Sequence, residues 1–134
     1  MTQSTIVISR DIDPVRWNSF LAEFTRENRG GHARLEVLGS DPPRVVETED
    51  RPFDGIAADV KDGENIVWIA FGSTPDDHLT HGIHGVKAIQ VRPPTGNAGA
   101  AVEIETNDGV RTLLQLSRPE EYALPPGTAG KRQS

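Results

Sequence analysis

The stretch "DPVRWNSFLAEFTRENRGGHARLEVLG", residues 13–39, decides the fold class because the spacing of its apolar residues changes part-way along. After Gly31 apolar and polar residues alternate, which is the period of a half-buried strand. Before it, four apolar residues follow the i, i+3, i+4, i+7 spacing of an amphipathic helix: Trp17, Phe20, Leu21 and Phe24. The stretch therefore predicts a helix followed by a strand.

The predicted helix has signals at both of its ends. Asp13 belongs to the residue types that cap helix N-termini, and Pro14 falls at the first helical position, where its missing N–H is harmless. Ile12 and Trp17 stand at the two positions of a hydrophobic staple, and Gly30 is a natural stop. Because a lone helix must bury its apolar stripe, we interpret the stripe as core rather than as a binding face.

The remainder of the chain is typical of strands separated by turns. The Asp-Gly pairs at 62–63 and 108–109 indicate two hairpins. The segment "NIVWIAFG", residues 65–72, is apolar on both faces and predicts a central strand covered on both sides. "TIVIS", residues 5–9, is a candidate edge strand.

These elements predict an α+β fold. The N-terminal amphipathic helix packs on a strongly bent, mostly antiparallel sheet, or on a partly open β-barrel, of about six to eight strands. We expect residues 1–117 to form this single domain. Residues 118–134, rich in Pro and Gly, are expected to form a mobile tail.

Composition excludes several classes of partner and site. Fourteen Lys and Arg are scattered among twenty Asp and Glu, for a formal net charge of −6, which disfavours nucleic acid and anionic membrane surfaces. The absence of cysteine removes disulfides and thiolate metal sites. No apolar run approaches the roughly twenty residues of a membrane helix, and we expect a soluble, cytoplasmic protein.

Three of the four histidines lie in "DDHLTHGIHG", residues 76–85. Thr74 and Asp77 match a capping box with Pro75 at the first helical position, which predicts a short helix from about Pro75 to His84. In such a helix Leu79 and Ile83 share the face that anchors the turn, and the histidines lie outward or along a rim.

The residues His78, His81, His84 and Asp77 are the candidate ligands for a divalent metal ion or a small molecule. Metal-binding helices usually pair histidines at i, i+4, as in H-E-x-x-H, and that motif is absent. We therefore interpret the segment as a capped polar turn at the surface and predict no cofactor or bound metal, with metal or small-ligand binding as the alternative.

No catalytic motif is present: the chain lacks G-x-S-x-G, S-x-x-K and cysteine. The eight carboxylates between Asp41 and Glu64 are typical of a solvated face. We predict a non-enzymatic protein that acts through its surface, as a homo-oligomer or with a protein partner. A hydrolase with carboxylates in a sheet cleft is a further hypothesis.

The order of several segments resembles that of an uncharacterised bacterial family of small acidic proteins, a domain of unknown function. The matching segments are "WNSFLAEF", "LEVLG", "DDHLTHGI" and "NDGVRTLLQL", which span Trp17 to Leu116. The pattern is most similar at His81; a proline commonly follows the histidine block in the family, where this chain has Gly85. The resemblance implies no activity.

Overall fold

A computed structural model of the chain describes residues 9–38, 44–95 and 98–117, without the side chains of residues 44–50 and 98. The elements in chain order are β1 (Arg10–Asp11), α1 (Trp17–Asn28), β2 (His32–Leu38), β3 (Arg44–Lys61), β4 (Glu64–Phe71), β5 (Leu79–His84), β6 (Val86–Arg92), β7 (Ala98–Thr106) and β8 (Arg111–Ser117).

The strands form one eight-stranded sheet in the order β1-β6-β7-β8-β2-β3-β4-β5, with every neighbouring pair antiparallel. The two ends of this order are different strands, so the sheet is not closed. Gly85, at φ 69°, is the only residue between β5 and β6. At this residue the chain passes from β5, the last strand of the sheet order, to β6, which pairs with β1 at the other end. The predicted α+β class and the predicted antiparallel strands are confirmed.

The helix begins and packs as its sequence predicts. Asp13 accepts a hydrogen bond from the Val15 N–H at 3.2 Å, and a 3₁₀ turn over Pro14–Arg16 leads into α1. The Trp17 indole N–H donates to the Ile12 carbonyl at 2.9 Å. Buried side chains of the stripe are Trp17, Leu21 and Phe24, with Phe20 packed against them at the edge of the core. The interpretation of the stripe as core is therefore confirmed.

Both hairpins form where the Asp-Gly pairs predict them. Asp62 and Gly63 have φ of 55° and 78°, and Lys61 faces Glu64 across a two-residue turn. These are the positive φ angles that a type I′ hairpin turn requires at both central positions. Gly109, at φ 89°, lies in the turn between β7 and β8.

Strand β3 is longer than the sequence indicates, because two segments that each resemble a separate strand, "RVVETE" (residues 44–49) and "FDGIAADV" (residues 53–60), form one continuous element. Its first part, up to Pro52, pairs with β2, and the part from Phe53 onward pairs with β4. Since β2 begins at His32, opposite Pro52, the edge of β3 beyond that point has no strand beside it within the described ranges.

The C-terminal half of α1 covers this edge of β3. The Thr25 hydroxyl donates to the Ile56 carbonyl at 3.0 Å and accepts from the Ile56 N–H at 2.9 Å. The Gly30 N–H donates to the Phe53 carbonyl at 2.9 Å. Helix and strand approach so closely that a Cβ at Gly55 would lie 3.3 Å from the Thr25 methyl group. A side chain of the helix and a main-chain group of the turn that follows it thus satisfy backbone groups that a neighbouring strand would otherwise pair.

Strand β4 is less covered than predicted. Val67, Ile69 and Phe71 are buried on its core face, but Trp68 on the opposite, outer face is 39% exposed. The prediction of cover on both faces is wrong at Trp68 because α1 packs against β3 and does not extend across β4. A run of apolar residues cannot show by itself how far a neighbouring helix reaches.

Two predicted segments lie outside the described residues: the candidate edge strand, of which only Ser9 is described, and the tail 118–134. Among the described helices, none has the length and apolar character needed to cross a membrane.

Replacing Thr25 tests whether the helix stabilises the edge of β3. We expect Thr25→Val to lower the free energy of unfolding by about 1–3 kcal/mol, because it leaves the Ile56 N–H and carbonyl without a partner. Thr25→Ser keeps the hydroxyl and serves as the control in urea denaturation. Equal stability of the Val variant and the wild-type chain would contradict this account of the edge.

Candidate functional site

The histidine segment is a turn followed by a strand, so the predicted helix from Pro75 to His84 is wrong. Only Pro75–Asp77 is helical, as a 3₁₀ turn, and β5 follows. The capping box and the position of Pro75 are confirmed. The edge of β4 offers a complete ladder to the segment, whereas Gly82 and the β-branched Thr80 weaken a helix. Tertiary pairing therefore overrides the local helix signal.

Asp77 holds the turn that leads into β5. Its Oδ1 accepts hydrogen bonds from the N–H and from the hydroxyl of Thr74, each at 2.9 Å. These two bonds hold the pKa of the Asp77 carboxyl below its ordinary value of 3.8, and the bond from the Thr74 backbone N–H contributes most. Asp77 thus has a structural role in the turn.

The three histidines of the segment are directed to different places. In β5, His81 shares a face with Ile83, while His84 lies on the opposite face beside Trp68, with ring centroids 6.1 Å apart. His78 precedes the strand. Residues three apart in a strand lie on opposite faces and about 10 Å apart, which keeps the His81 and His84 imidazoles from meeting at one point.

Two of these histidines contact separate carboxylates. His78 Nε2 lies 3.4 Å from Asp54 Oδ2, and His84 Nδ1 lies 3.5 Å from Glu64 Oε1. Within the described ranges, no group of three or more His, Asp or Glu side chains is arranged to hold a metal ion.

A cleft of about 590 Å³ lies between α1 and the outer face of β3 and β4. Small residues leave the space for it: Ala22, Gly55, Ala57 and Ala70. Its larger lining side chains include Arg26, Arg29, Asp54 and Trp68. The volume falls within the range of ordinary small-ligand pockets.

The polar part of the cleft is a chain of contacts around Asp54. The Arg29 Nε donates to the Asp54 carbonyl at 2.8 Å and lies 3.7 Å from its Oδ1, while His78 contacts Oδ2. Asp54 thus connects the end of α1 to the residue that precedes β5. Sequence reasoning singled out His78 but missed Arg29 and the cleft, because their proximity depends on how α1 meets β3.

The hydrogen bonds of Ile56 show which backbone groups of β5 point away from β4. Because Thr25 occupies the Ile56 N–H and carbonyl, these groups point away from β4, and the Ile56–Ile69 pair is not hydrogen-bonded. Ile69 must therefore bond to His81 in β5. By alternation the N–H and carbonyl groups of Thr80 and Gly82, which flank His81, point outward, and so do those of His84.

Trp68 and Gly82 form a close pair on the outer face. The two residues are opposite each other in β4 and β5, and a Cβ at Gly82 would lie 2.5 Å from Cζ3 of Trp68. The indole ring therefore lies across the backbone of Gly82, a position that only glycine permits without displacing the ring. An exposed Trp opposite a Gly is a signal that becomes visible only when the strand register is known.

Comparison with known families gives a match over most of the chain. A family model described as a family of unknown function, DUF5335, matches residues 8–125. The chain belongs to DUF5335. This confirms the resemblance to a domain of unknown function, and the match continues past β8 to Pro125. No curated protein and no solved structure matches this DUF5335 chain.

The Asp77 turn predicts a shift that can be measured. We expect Thr74→Val to raise the pKa of Asp77 toward 3.8, because it removes the hydroxyl donor, while Thr74→Ser leaves it low. Since the pKa is lowered in the folded chain, the stability that this carboxylate contributes is present above pH 3.8 and is lost as pH falls through the folded value.

Carboxyl chemical shifts followed by NMR during an acid titration measure this pKa in the wild-type chain and in both variants. An Asp77 carboxyl that titrates at the same pH in the Val variant as in the wild-type chain would refute the role of the Thr74 hydroxyl.

Proposed function

We propose that this protein is a non-enzymatic interaction module that binds an extended protein segment along β5. The segment adds as a new strand to the sheet, so that its main chain supplies the hydrogen bonds and its side chains contact the surface around Trp68. The observation that carries the proposal is the outer edge of β5, where Thr80, Gly82 and His84 present N–H and carbonyl groups.

The features that usually protect an edge strand are missing from β5. Leu79–His84 contains no Lys, Pro, Asp or Glu, and its pairing with β4 runs over six residues without a bulge. Natural edge strands are commonly protected by charge, proline, bulges or shortness. The other end of the sheet, β1, has only two residues. Among the described strands, β5 is therefore the edge best suited to strand addition.

Exposed apolar side chains next to the edge add contact area for a bound segment. Leu79 is 40% exposed and Trp68 is 39% exposed, and Trp is strongly enriched among the residues that dominate binding energies. The candidate acid–base groups offer less support for catalysis: His78 and Asp54 are each more than 40% exposed and contact each other at the surface. Catalytic groups more often lie in partly desolvated clefts.

Binding of a small molecule in the cleft is a second candidate function. It is favoured by the volume of the cleft and by the Arg29–Asp54–His78 contacts, which place donors and acceptors beside an apolar floor. A metal site formed jointly by His78, His81 and His84 has less support, because His81 and His84 lie on opposite faces of β5.

Selection of displayed random peptides on the purified protein tests the main proposal. We expect the wild-type chain to enrich peptides with alternating apolar residues, and Thr80→Pro to lose them because proline removes an outward N–H without breaking a bond to β4. Thr80→Val keeps that N–H and is the matched control. Failure to enrich any sequence, or equal enrichment on the Pro variant, would argue against strand addition at β5.

Thermal unfolding with added metal tests the metal alternative. We expect micromolar Zn²⁺ or Ni²⁺ to leave the melting temperature unchanged, because a ligand stabilises a fold only if the folded state binds it. A rise in the melting temperature of the wild-type chain that His81→Asn abolishes would instead favour metal binding by the histidine segment.

A further inference from the structure

We propose that the segment added to β5 is the β5 strand of a second copy of this chain, forming a symmetric antiparallel dimer with its two-fold axis at Gly82. This inference rests on the proposed function, because it assigns the partner at the same edge. An antiparallel pair of identical strands is self-complementary, so the contact closes as a dimer and leaves no further β5 edge open.

The outward backbone groups select the register of this pairing. A ladder forms only where an outward residue of one copy faces an outward residue of the other, and in β5 these are Thr80, Gly82 and His84. With Gly82 opposite Gly82 of the second copy, Thr80 faces His84 on both sides, so all three positions exchange hydrogen bonds. A pairing centred on His81 leaves His84 outside the ladder between the strands. The register at Gly82 therefore uses the edge most completely.

The same register covers the exposed indole ring. Trp68 lies across Gly82 in each copy, with Cζ3, Cε3 and Cη2 nearest to the glycine. Facing hydrogen-bonded residues have Cα atoms about 5.5 Å apart, so two facing glycines bring the two indole rings side by side over the axis. A side chain at Gly82 would prevent this arrangement by displacing its own Trp68. The need for glycine and the exposure of the indole thus have one explanation.

Charge also favours a second copy at this edge. The chain carries a net charge of −6, which opposes association of two copies over most surfaces. Leu79–His84 contains no Asp, Glu, Lys or Arg, so two β5 strands bring none of these charged side chains against each other. Because the contact is a single strand with two indole rings, it buries less area than a standard interface, and we expect a weak dimer whose population depends on concentration.

Sedimentation velocity at increasing concentrations tests the dimer. We expect the wild-type chain and Thr80→Val to shift from monomer to dimer, and Thr80→Pro and Trp68→Ala to remain monomeric at the same concentrations. Circular dichroism establishes that each variant is folded. A wild-type chain that stays monomeric up to about 1 mM protein, or a dimer that persists in Thr80→Pro, would overturn the inference.

Introduced cysteines test the register, because the natural chain has none. In the register at Gly82, Thr80→Cys combined with His84→Cys places two thiols opposite each other across the interface, within the Cα separation that a disulfide allows. Within one chain these positions are about 13 Å apart and cannot be bridged. We expect oxidation to give a reducible covalent dimer for the double variant and not for either single variant.

The outcomes separate this inference from the function on which it rests. Cross-linking of a single variant at least as efficient as that of the double variant would refute the Gly82 register. A monomeric chain that still enriches peptides at β5, in a manner sensitive to Thr80→Pro, would overturn the dimer and leave strand addition standing. A monomeric chain that enriches no peptide would remove both.

Discussion

The two hydrogen bonds between the Thr25 hydroxyl and the backbone of Ile56 are the interaction on which the rest of the structure depends. Strand β2 ends its pairing with β3 at Pro52, and β3 continues with one edge free of any described strand. Polar backbone groups left on such an edge need partners, and the helix supplies them. The end of α1 is thereby held against β3 at Ile56, and the cleft lies between the helix and the outer face of β3 and β4.

The same contact shows which backbone groups face the far edge. Because hydrogen bonding alternates along antiparallel strands, Ile56 groups that face Thr25 imply that Ile69 faces β5 and that Gly82 faces outward. The side chains of the outer face follow the same register, with Trp68 opposite Gly82. Glycine in the interior of a strand weakens the strand and often marks a close approach by another group, which here is the indole ring of Trp68.

The polar groups of the histidine segment have roles that differ from one residue to the next. Asp77 and Thr74 form the capped turn that starts β5, and this can be understood from folding alone. His78 and His84 contact carboxylates at the surface through their side chains, whereas β5 pairs with β4 through backbone groups. The turn is therefore a local structural feature, whereas the edge that follows it carries the outward backbone groups on which the proposed binding depends.

The sequence by itself determined the features that depend on neighbouring residues. The capped start of α1, its buried stripe at Trp17, Leu21 and Phe24, the two Asp-Gly hairpins and the Thr74–Asp77 turn all follow from short-range spacing, because helix faces and tight turns are set by residues a few positions apart.

Only the tertiary structure decided that the histidine segment is a strand, that β3 changes partners at Pro52, and that Arg29 meets Asp54. The physical reason is that an edge residue takes its conformation from the backbone groups of its neighbour. Those groups come from positions distant in the chain, whose pairing a local pattern does not record.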